Sequence, residues 1–283
     1  ILMGPGRCRR EEHGHGYVGE DGKRYPTWEI REHRQWLMRV YTYLKGNDKH
    51  TPMLLHLSGQ APKIMAYAFT DYLWDGELWI DQVQRDRSYE SLTLDTFRTV
   101  LCGQIWGPTV LWISQLTRAL SHLPPDERKK GLKPWAGRHL LGMLLVHDSP
   151  PRLAGGGLSG YRHVWRIMDR FGLDDGDIFR PYWEPQPGIQ LQTADANVVI
   201  TAYLKADRAL LILFNNTDTD REVTLCLDSE TLFGVSSPLR LTDAEADRLV
   251  DVGTNMHLSV GKRDFRMFVA RRADLTKEGT ERK

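Results

Sequence analysis

The sequence of 283 residues is poor in cysteine, in net charge and in long apolar runs. Its three cysteines, Cys8, Cys102 and Cys226, are odd in number and far apart, so we expect buried thiols rather than a disulfide framework. The formal net charge of +1 predicts no basic surface of the kind that binds nucleic acid. No apolar run approaches the roughly 18–20 residues that a membrane span needs. We therefore expect neither a nucleic-acid partner nor a membrane segment.

The first residues carry no recognisable targeting signal. The chain starts Ile1-Leu2-Met3-Gly4-Pro5, without an initiator methionine and without a charged start followed by an apolar stretch. Such a start is typical of a chain cut from a longer protein. The compartment and the oligomeric state are therefore left open, and an extracellular or periplasmic location is expected if a signal peptide lies upstream.

The pattern of apolar residues changes near residue 188. Before it, strand-like runs such as 52–57 and 109–113 alternate with helical patterns, as β/α units do. After it, short segments with period two are separated by turn clusters, which predicts an antiparallel sandwich. The predicted strands of this second part are 197–204, 209–215, 222–227, 238–242, 257–260 and 265–270.

Start and stop signals give the helices of the first part. We predict one helix from Pro26 or Thr27 to Gly46-Asn47, others at 91–101 and 135–146, and one that ends at Gly172. Polar composition predicts a loop at 78–91 and a charged surface turn at 123–133, and residues 61–69 fit either a helix or a strand.

These counts bound the architecture. About three or four strand–helix units fit in residues 1–187, whereas a complete barrel of eight units needs about 250 residues. Residues 1–187 therefore form either an open α/β layer or the second half of a barrel. The start of the sequence at Ile1, without an initiator methionine, favours the half barrel. We predict the α/β class, with a partial (β/α)8 TIM-type barrel in residues 1–187, an all-β antiparallel sandwich in 188–272 and a charged tail in 273–283.

The densest chemistry lies in residues 56–77. Three carboxylates, Asp71, Asp75 and Glu77, are crowded among aromatic residues there. Hydrolysis of a glycosidic bond needs one carboxylic acid to protonate the leaving oxygen and a second carboxylate about 5–5.5 Å or about 6.5–9.5 Å away, for retention or inversion. On a strand, Asp75 and Glu77 would point the same way about 6–7 Å apart, and in a loop their separation is not fixed, so both outcomes stay open.

We assign Glu77 and Asp75 as the catalytic pair, with Asp71 as a substrate ligand or an alternative acid. The other interpretation is that Asp71 caps a turn and Glu77 is merely solvated. We expect the substrate-binding residues to have imidazole, guanidinium, carboxylate or aromatic side chains. They lie near the ends of predicted strands and helices or in the polar, Gly-rich loop of residues 6–25. They are Arg7, His13, His15, His56, Tyr72, Trp74, His147 and Asp148.

Several of these residues also have structural interpretations. His56 could be a core histidine, and Asp148 could cap a helix or orient His147. His13 and His15 could contact sugar, pack against the barrel or lie in a solvated loop. Together with Cys8 they could supply three metal ligands, but no fourth ligand lies at a recognisable spacing. We therefore predict no metal and no cofactor.

Several stretches resemble a known family. RCRREEHGHGY, LLHLSG, AFTDYLWDGE and LLVHDSPP resemble the C-terminal half of a large bacterial glycoside-hydrolase-like domain that is distantly related to family 123 glycoside hydrolases. WRIMDRFGLDDGDIFRPYWEP and RALLILFNNTDTDREVTLCLD resemble the passage of the same proteins into a C-terminal β-sandwich. The resemblance covers most of residues 5–270.

The resemblance implies a (β/α)8 barrel with a sugar site at the carboxyl ends of its strands. The activity it implies is hydrolysis of O-glycosidic bonds in an oligo- or polysaccharide, by paired carboxylates and without a cofactor. The chain departs from the family at Met3, where such proteins often carry an acid. The alternative is therefore a non-catalytic carbohydrate-binding protein with a degenerate barrel, and a third possibility is a purely structural fragment.

Overall fold

The computed structural model describes residues 2–3, 6–56, 68–101, 108–149, 151–152, 160–174 and 176–273. The chain divides into two compact units. The first comprises Ile1–Asp81, Leu101–Gln115 and Ser149–Gly155, and the second comprises Gln82–Val100, Leu116–Asp148 and Gly156–Lys283. Cys102 and most of the ambiguous segment 61–69 lie outside the described residues.

Among its described residues the first unit contains nine short strands, one complete α-helix and two 3-10 turns, Glu11–His13 and Glu77–Trp79. In chain order the strands and the helix are β1 (Leu2–Met3), β2 (Arg7–Cys8), β3 (Tyr17–Val18), β4 (Arg24–Tyr25), β5 (Thr27–Trp28), α1 (Ile30–Asn47), β6 (Leu54–His56), β7 (Tyr72–Asp75), β8 (Thr109–Ile113) and β9 (Pro151–Arg152). Five of the strands form one sheet in the order β1-β6-β7-β8-β9, and every neighbouring pair is parallel. The carboxyl ends of these strands therefore meet at one edge, where open α/β sheets bind their ligands.

Helix α1 follows a pair of two-residue strands. Strands β2 and β5 are antiparallel, with Cys8 opposite Thr27. The predicted helix start at Pro26 or Thr27 is wrong because Thr27 and Trp28 are used in this pairing, and α1 begins at Ile30. The predicted end is confirmed, since Asp48 donates its N–H to the Leu44 carbonyl at 2.9 Å.

The remaining elements lie wholly or mostly in the second unit. In chain order they are α2 (Ile80–Asp86), α3 (Leu94–Leu101), α4 (Leu116–Ser121), α5 (Pro125–Lys129), α6 (Ala136–Val146), α7 (Tyr161–Phe171), β10 (Ile178–Arg180), β11 (Ile189–Gln192), β12 (Val198–Leu204), β13 (Arg208–Asn215), β14 (Arg221–Leu227), α8 (Ser229–Phe233), β15 (Leu239–Asp243), β16 (Arg248–Gly253), β17 (Asn255–Val260) and β18 (Asp264–Arg272).

The helices of this unit confirm some predictions and correct others. Helices α3 and α6 match the predicted ones, and α7 ends at Gly172, whose φ of 77° and N–H bond to Met168 close the last turn. The predicted loop at 78–91 is wrong because α2 lies there, and the predicted surface turn at 123–133 contains the short helix α5. In α2 the fully buried Val83 stabilises a turn whose composition is otherwise polar.

Two antiparallel sheets follow. One has six strands in the order β10-β12-β13-β18-β15-β16, and the other has three in the order β11-β14-β17. The six predicted strands correspond to β12, β13, β14, β15, β17 and β18, with ends that differ by two residues or fewer. The sequence did not predict β10, β11 and β16, whose side chains are mostly partly or fully exposed and lack a clean apolar period.

One hydrophobic core joins the two antiparallel sheets. Apolar residues from both sheets, among them Leu213, Leu225 and Phe268, belong to a single buried cluster. Helix α6 contacts the outer face of β12, β13 and β18. A methyl group at Gly142 of α6 would lie 2.5 Å from the Phe214 ring, so glycine is what allows the helix to approach β13 this closely.

The α/β class is confirmed, with parallel strands that alternate with helices along the chain and antiparallel sheets after them. The described parallel strands form a sheet of five rather than a complete barrel of eight. Among the described helices, none combines the length and the apolar composition that a bilayer crossing requires.

Candidate functional site

The candidate site lies at the carboxyl edge of the parallel sheet. His56 is the last residue of β6 and Asp75 the last of β7, and Glu77 follows two residues later. In the register His56 pairs with Trp74, and Asp75 pairs with Trp112 of β8. The sheet therefore brings His56, Asp75 and Glu77 to one edge, as expected for residues at the ends of parallel strands.

Gly76 makes the turn that separates the two acids. Its φ of 121° is a conformation that other residues rarely adopt. A Cβ atom at this position would lie 2.5 Å from the Ile113 carbonyl oxygen. Glycine is therefore required both by the turn and by the close approach of β8. The strand ends at Asp75 and Glu77 follows in a turn, so the strand geometry in which the two acids point the same way does not apply.

Asp75 is a buried carboxyl group. It lies on the same face of the sheet as Leu55 and Leu73, with only 2% of its surface exposed. Burial raises the pKa of Asp75 to about 6, the Gly76 N–H at 2.6 Å opposes this, and the charge of Glu77 raises it further. A carboxyl group that keeps its proton close to neutral pH can serve as a general acid.

Glu77 is held by a histidine. Its Oε2 lies 3.5 Å from Nε2 of His56, and both side chains are only partly buried, at 29% and 15% exposed. Trp74 stands edge-on to the His56 ring, with centroids 6.3 Å apart. This half-open carboxylate, imidazole and indole group contrasts with the enclosed Asp75. The two acids therefore differ in environment, which is what separate acid and base roles require.

Asp71 and Tyr72 lie at the opposite end of β7. Asp71 accepts hydrogen bonds from the Met53 N–H at 2.8 Å and from Lys45 Nζ at 2.9 Å. Four residues of strand separate it from Asp75, or about 13 Å along the chain. The structure therefore does not bring Asp71 into the acid pair, and its contacts connect α1 to the start of β6. Tyr72 is likewise the first residue of β7.

His147 and Asp148 lie in the second unit. The His147 ring is fully buried between Phe97 and Trp183, Nδ1 donates to the Met143 carbonyl and Nε2 accepts from Tyr182 Oη at 2.9 Å. Burial lowers the pKa of His147 to about 4. Both ring nitrogens are engaged by the protein, so the neutral ring acts in packing.

The side chain of Asp148, like that of His147, is hydrogen-bonded to a tyrosine of the second unit. The residue adopts a φ of 50°, and its Oδ1 accepts a hydrogen bond from Tyr203 at 2.6 Å. Asp148 follows the C-cap residue His147 of α6, and the rings of Tyr182 and Trp183 pack against the His147 ring.

Arg7, His13 and His15 lie together in the segment before α1. Arg7 stacks its guanidinium over Trp28 at 4.8 Å. The rings of His13 and His15 meet edge to face with centroids 5.9 Å apart. The described contacts of His13 and His15 include Cys8, Glu29 and Glu32, and those of Glu77 include His56.

Sequence reasoning did not identify two polar residues at the end of β8. Ser114 and Gln115 are both buried directly after Ile113, and Gln115 donates to the Ile113 carbonyl at 3.2 Å. They share the carboxyl edge with Asp75. The signal that could have found them was their place directly after the β-branched run that predicts a buried strand.

A protein family matches part of the second unit. Residues 161–249 match the sequence profile of the glycoside hydrolase 123 C-terminal domain, and the resemblance to this family is thereby confirmed. The matched residues run from α7 to β16 and do not include the acid pair. A search of curated protein sequences finds no match to the chain.

The fold is similar to that of solved glycoside hydrolases. An α-amylase of Geobacillus thermoleovorans, solved in complex with acarbose, has a TM-score of 0.57 at 11% identity, over 85% of this chain and 57% of the amylase. A noncanonic maltogenic α-amylase, AmyB of Thermotoga neapolitana, has a TM-score of 0.50 at 13% identity, over 92% and 73% of the two chains.

A third structure, α-galactosidase I of Mortierella vinacea, has a TM-score of 0.50 at 10% identity, over 84% of this chain and 62% of that enzyme. At these identities the similarity concerns the fold alone. The chain spans little more than half the length of the first amylase.

Proposed function

We propose that this chain is a glycoside hydrolase, or the C-terminal portion of one, that cleaves O-glycosidic bonds with Asp75 and Glu77. In this proposal residues 1–187 form part of a (β/α)8 barrel and residues 188–272 a β-sandwich. The observation that carries it is the presence of two carboxyl groups in different environments at the carboxyl edge of a parallel sheet. The family match in residues 161–249 supports the same class.

The environments suggest the division of roles. Asp75, with its pKa raised to about 6, is the general acid that protonates the leaving oxygen. Glu77 is the carboxylate that acts as nucleophile or as the base for water, and His56 positions it from 3.5 Å. The half-buried Trp74 offers a flat ring beside them for a sugar face. Retention and inversion both remain compatible with this pair.

The proposed substrate is an oligo- or polysaccharide. The amylase with the highest TM-score given above was solved with acarbose, which supports a carbohydrate ligand for the related fold. No residue of the site is assigned to a particular sugar, because Trp74 and His56 recognise features that most pyranoses share.

One structural observation favours a second candidate, a non-catalytic carbohydrate-binding protein. Met3 is the register partner of His56, so the position where related proteins often carry an acid lies at the same carboxyl edge. Asp75, at 2% exposed, also needs a movement of its surroundings before it can reach a substrate. Such a protein would keep the aromatic and imidazole contacts and lose turnover.

A glycan panel separates the two candidates. Each glycan is incubated with the full chain, binding is measured on an array, and products are measured by mass spectrometry. The hydrolase proposal expects new reducing ends from at least one bound glycan. Binding without any product would overturn it in favour of the binding protein, and neither binding nor product would contradict both.

A further inference from the structure

Four side chains with metal-binding atoms converge in the segment before α1. Cys8, His13, His15 and Glu29 each offer one ligand atom, and these four atoms all lie within 4.8 Å of one another. Sequence spacing identified the first three only. Glu29 lies fourteen positions after His15, so no local motif contains it.

The backbone accounts for this convergence. The antiparallel pairing of β2 with β5 puts Cys8 opposite Thr27 and therefore close to Glu29. A single 3-10 turn, Glu11–His13, is closed by Gly14 in the left-handed region with a φ of 68°. This turn returns the chain so that His13 lies beside Cys8 and its ring meets the His15 ring, while the His13 side chain stays exposed to solvent.

Two pairs of these metal-binding atoms lie less than 4 Å apart. Cys8 Sγ lies 3.6 Å from His13 Nδ1, and His15 Nδ1 lies 3.4 Å from Glu29 Oε1. His15 Nδ1 is nevertheless buried and makes no hydrogen bond to any described residue. His15 Nδ1 lies 3.4 Å from a carboxylate oxygen without the geometry of a hydrogen bond, and a cation shared by the two groups would satisfy this buried nitrogen.

The donor set fits zinc. Cysteine thiolate, imidazole and carboxylate are its protein ligands, and four of them complete a tetrahedron without an open position. Metal–ligand bonds of about 2.0–2.3 Å place ligand atoms roughly 3.3–3.8 Å apart, so the two measured pairs already fit and the wider ones must close by about 1 Å. The thiolate and Glu29 together balance the two positive charges of the ion.

An outer carboxylate completes the arrangement. Glu32 Oε2 lies 3.7 Å from His15 Nε2, the ring nitrogen that faces away from Glu29. Histidine ligands commonly donate their second N–H to a carboxylate, which fixes the tautomer and the ring orientation. Glu32 lies in the first turn of α1 and so links the cluster to that helix.

The segment also needs a substitute for a hydrophobic core. In residues 6–29, all of which are described, not one side chain is buried. Tyr17 and Val18 are 57% and 61% exposed, and the strands there are only two residues long. Small structures that cannot bury apolar surface are commonly held by a metal or by disulfides.

We propose that Cys8, His13, His15 and Glu29 bind one structural Zn²⁺ that fastens residues 6–29 to the start of α1. This site shares no residue with the acid pair and does not depend on the proposed hydrolase activity. It also assigns His13 and His15 a role other than contact with sugar.

The test measures binding of zinc and cobalt by the full chain after chelator treatment. Metal content is determined by plasma mass spectrometry, and the visible spectrum is recorded with Co²⁺ as a probe of geometry. We expect about one Zn²⁺ per chain, a tetrahedral Co²⁺ spectrum with a thiolate charge-transfer band, and a higher melting temperature of the zinc-loaded protein.

Variants assign the ligands. Cys8→Ser should abolish the charge-transfer band, and His15→Ala should reduce zinc affinity at least about 10-fold. Cys226→Ser and His50→Ala, which alter a cysteine of the second unit and an exposed histidine, are the matched controls and should bind zinc like the parent. Since the parent protein is measured first, a variant that fails to fold does not remove the test.

Two results would overturn the proposal. One is the absence of stoichiometric zinc in the parent protein together with an octahedral Co²⁺ spectrum. The other is zinc binding that survives Cys8→Ser and His15→Ala but is lost in a control variant, which would locate the ion elsewhere.

Discussion

Nε2 of His56 lies 3.5 Å from Oε2 of Glu77, so the last residue of one parallel strand holds the acid that follows the next strand. The contact exists because the register pairs His56 with Trp74, and the Gly76 turn then returns the chain towards β6. Glu77 is thereby oriented while remaining partly open to solvent. Asp75, only two residues earlier, points into the buried face.

Gly76→Ala tests the turn. The added methyl group would meet the Ile113 carbonyl at 2.5 Å, and the φ of 121° would be strained. We expect a loss of about 2–4 kcal/mol in the free energy of unfolding, measured by urea denaturation. Gly46→Ala in α1, where a methyl group meets nothing within 4 Å, is the control and should be neutral or slightly stabilising. Equal effects of the two substitutions would contradict the assigned role of Gly76.

Asp71→Asn tests the separation of Asp71 from the acid pair. The new side chain can still accept the Met53 N–H, but the ion pair with Lys45 is lost. We expect stability to fall by about 1 kcal/mol and kcat on a hydrolysed glycan to stay within about twofold. Asp126→Asn, which removes a nearly fully exposed ion pair with Lys129, is the control and should leave both quantities unchanged. A loss of kcat comparable with that of Glu77→Gln would return Asp71 to the catalytic group.

Asp75 predicts a pH dependence of stability. Its folded pKa of about 6 lies above the value of 3.8 expected when unfolded, so the unfolded state releases the proton first as the pH rises. Its contribution is therefore fully present below about pH 4 and falls by about 3 kcal/mol by about pH 7.5. The unfolding free energy of the parent minus that of Asp75→Asn should decrease by this amount over that range. A difference that stays constant would show that Asp75 is ionised in the folded protein near pH 4.

His147 predicts the opposite slope. Its folded pKa of about 4 lies below the usual 6.5, so the unfolded state takes up a proton first as the pH falls. Stability should drop by about 3 kcal/mol between about pH 7 and pH 4 relative to His147→Gln. The measurement is urea unfolding of both proteins across this range. His163→Gln, which changes an exposed histidine of α7, should follow the parent. If the difference in unfolding free energy between the parent and His147→Gln did not change with pH, His147 would be accessible to solvent in the folded protein.

The sequence predicted the parts of the fold that have a strong local signal. The strands from Val198 to Asn215 follow from period two, and the end of α7 follows from Gly172. Asp75 and Glu77 were found because the sequence has three carboxylates within seven residues, although Asp71 does not belong to the site. What could not be predicted depends on contacts that are distant in the sequence.

Two examples show why. Asp71 and Asp75 are four residues apart, but a strand between them moves their side chains to opposite ends of the sheet. Glu29 reaches Cys8 only because β2 pairs with β5, and two-residue strands have no period that a sequence can reveal. Val83 is similar, since its burial depends on tertiary packing rather than on the polar sequence around it.

The central claim is that Glu77 acts on a glycosidic bond, and the most direct test is the turnover of Glu77→Gln. The glycan is one that the parent chain hydrolyses, and product is quantified by mass spectrometry. Asp81→Asn, an exposed acid in α2, is the matched control. The account predicts a loss of at least about 100-fold in kcat for Glu77→Gln, with an unchanged melting temperature and full activity of the control. Full activity of Glu77→Gln would contradict it.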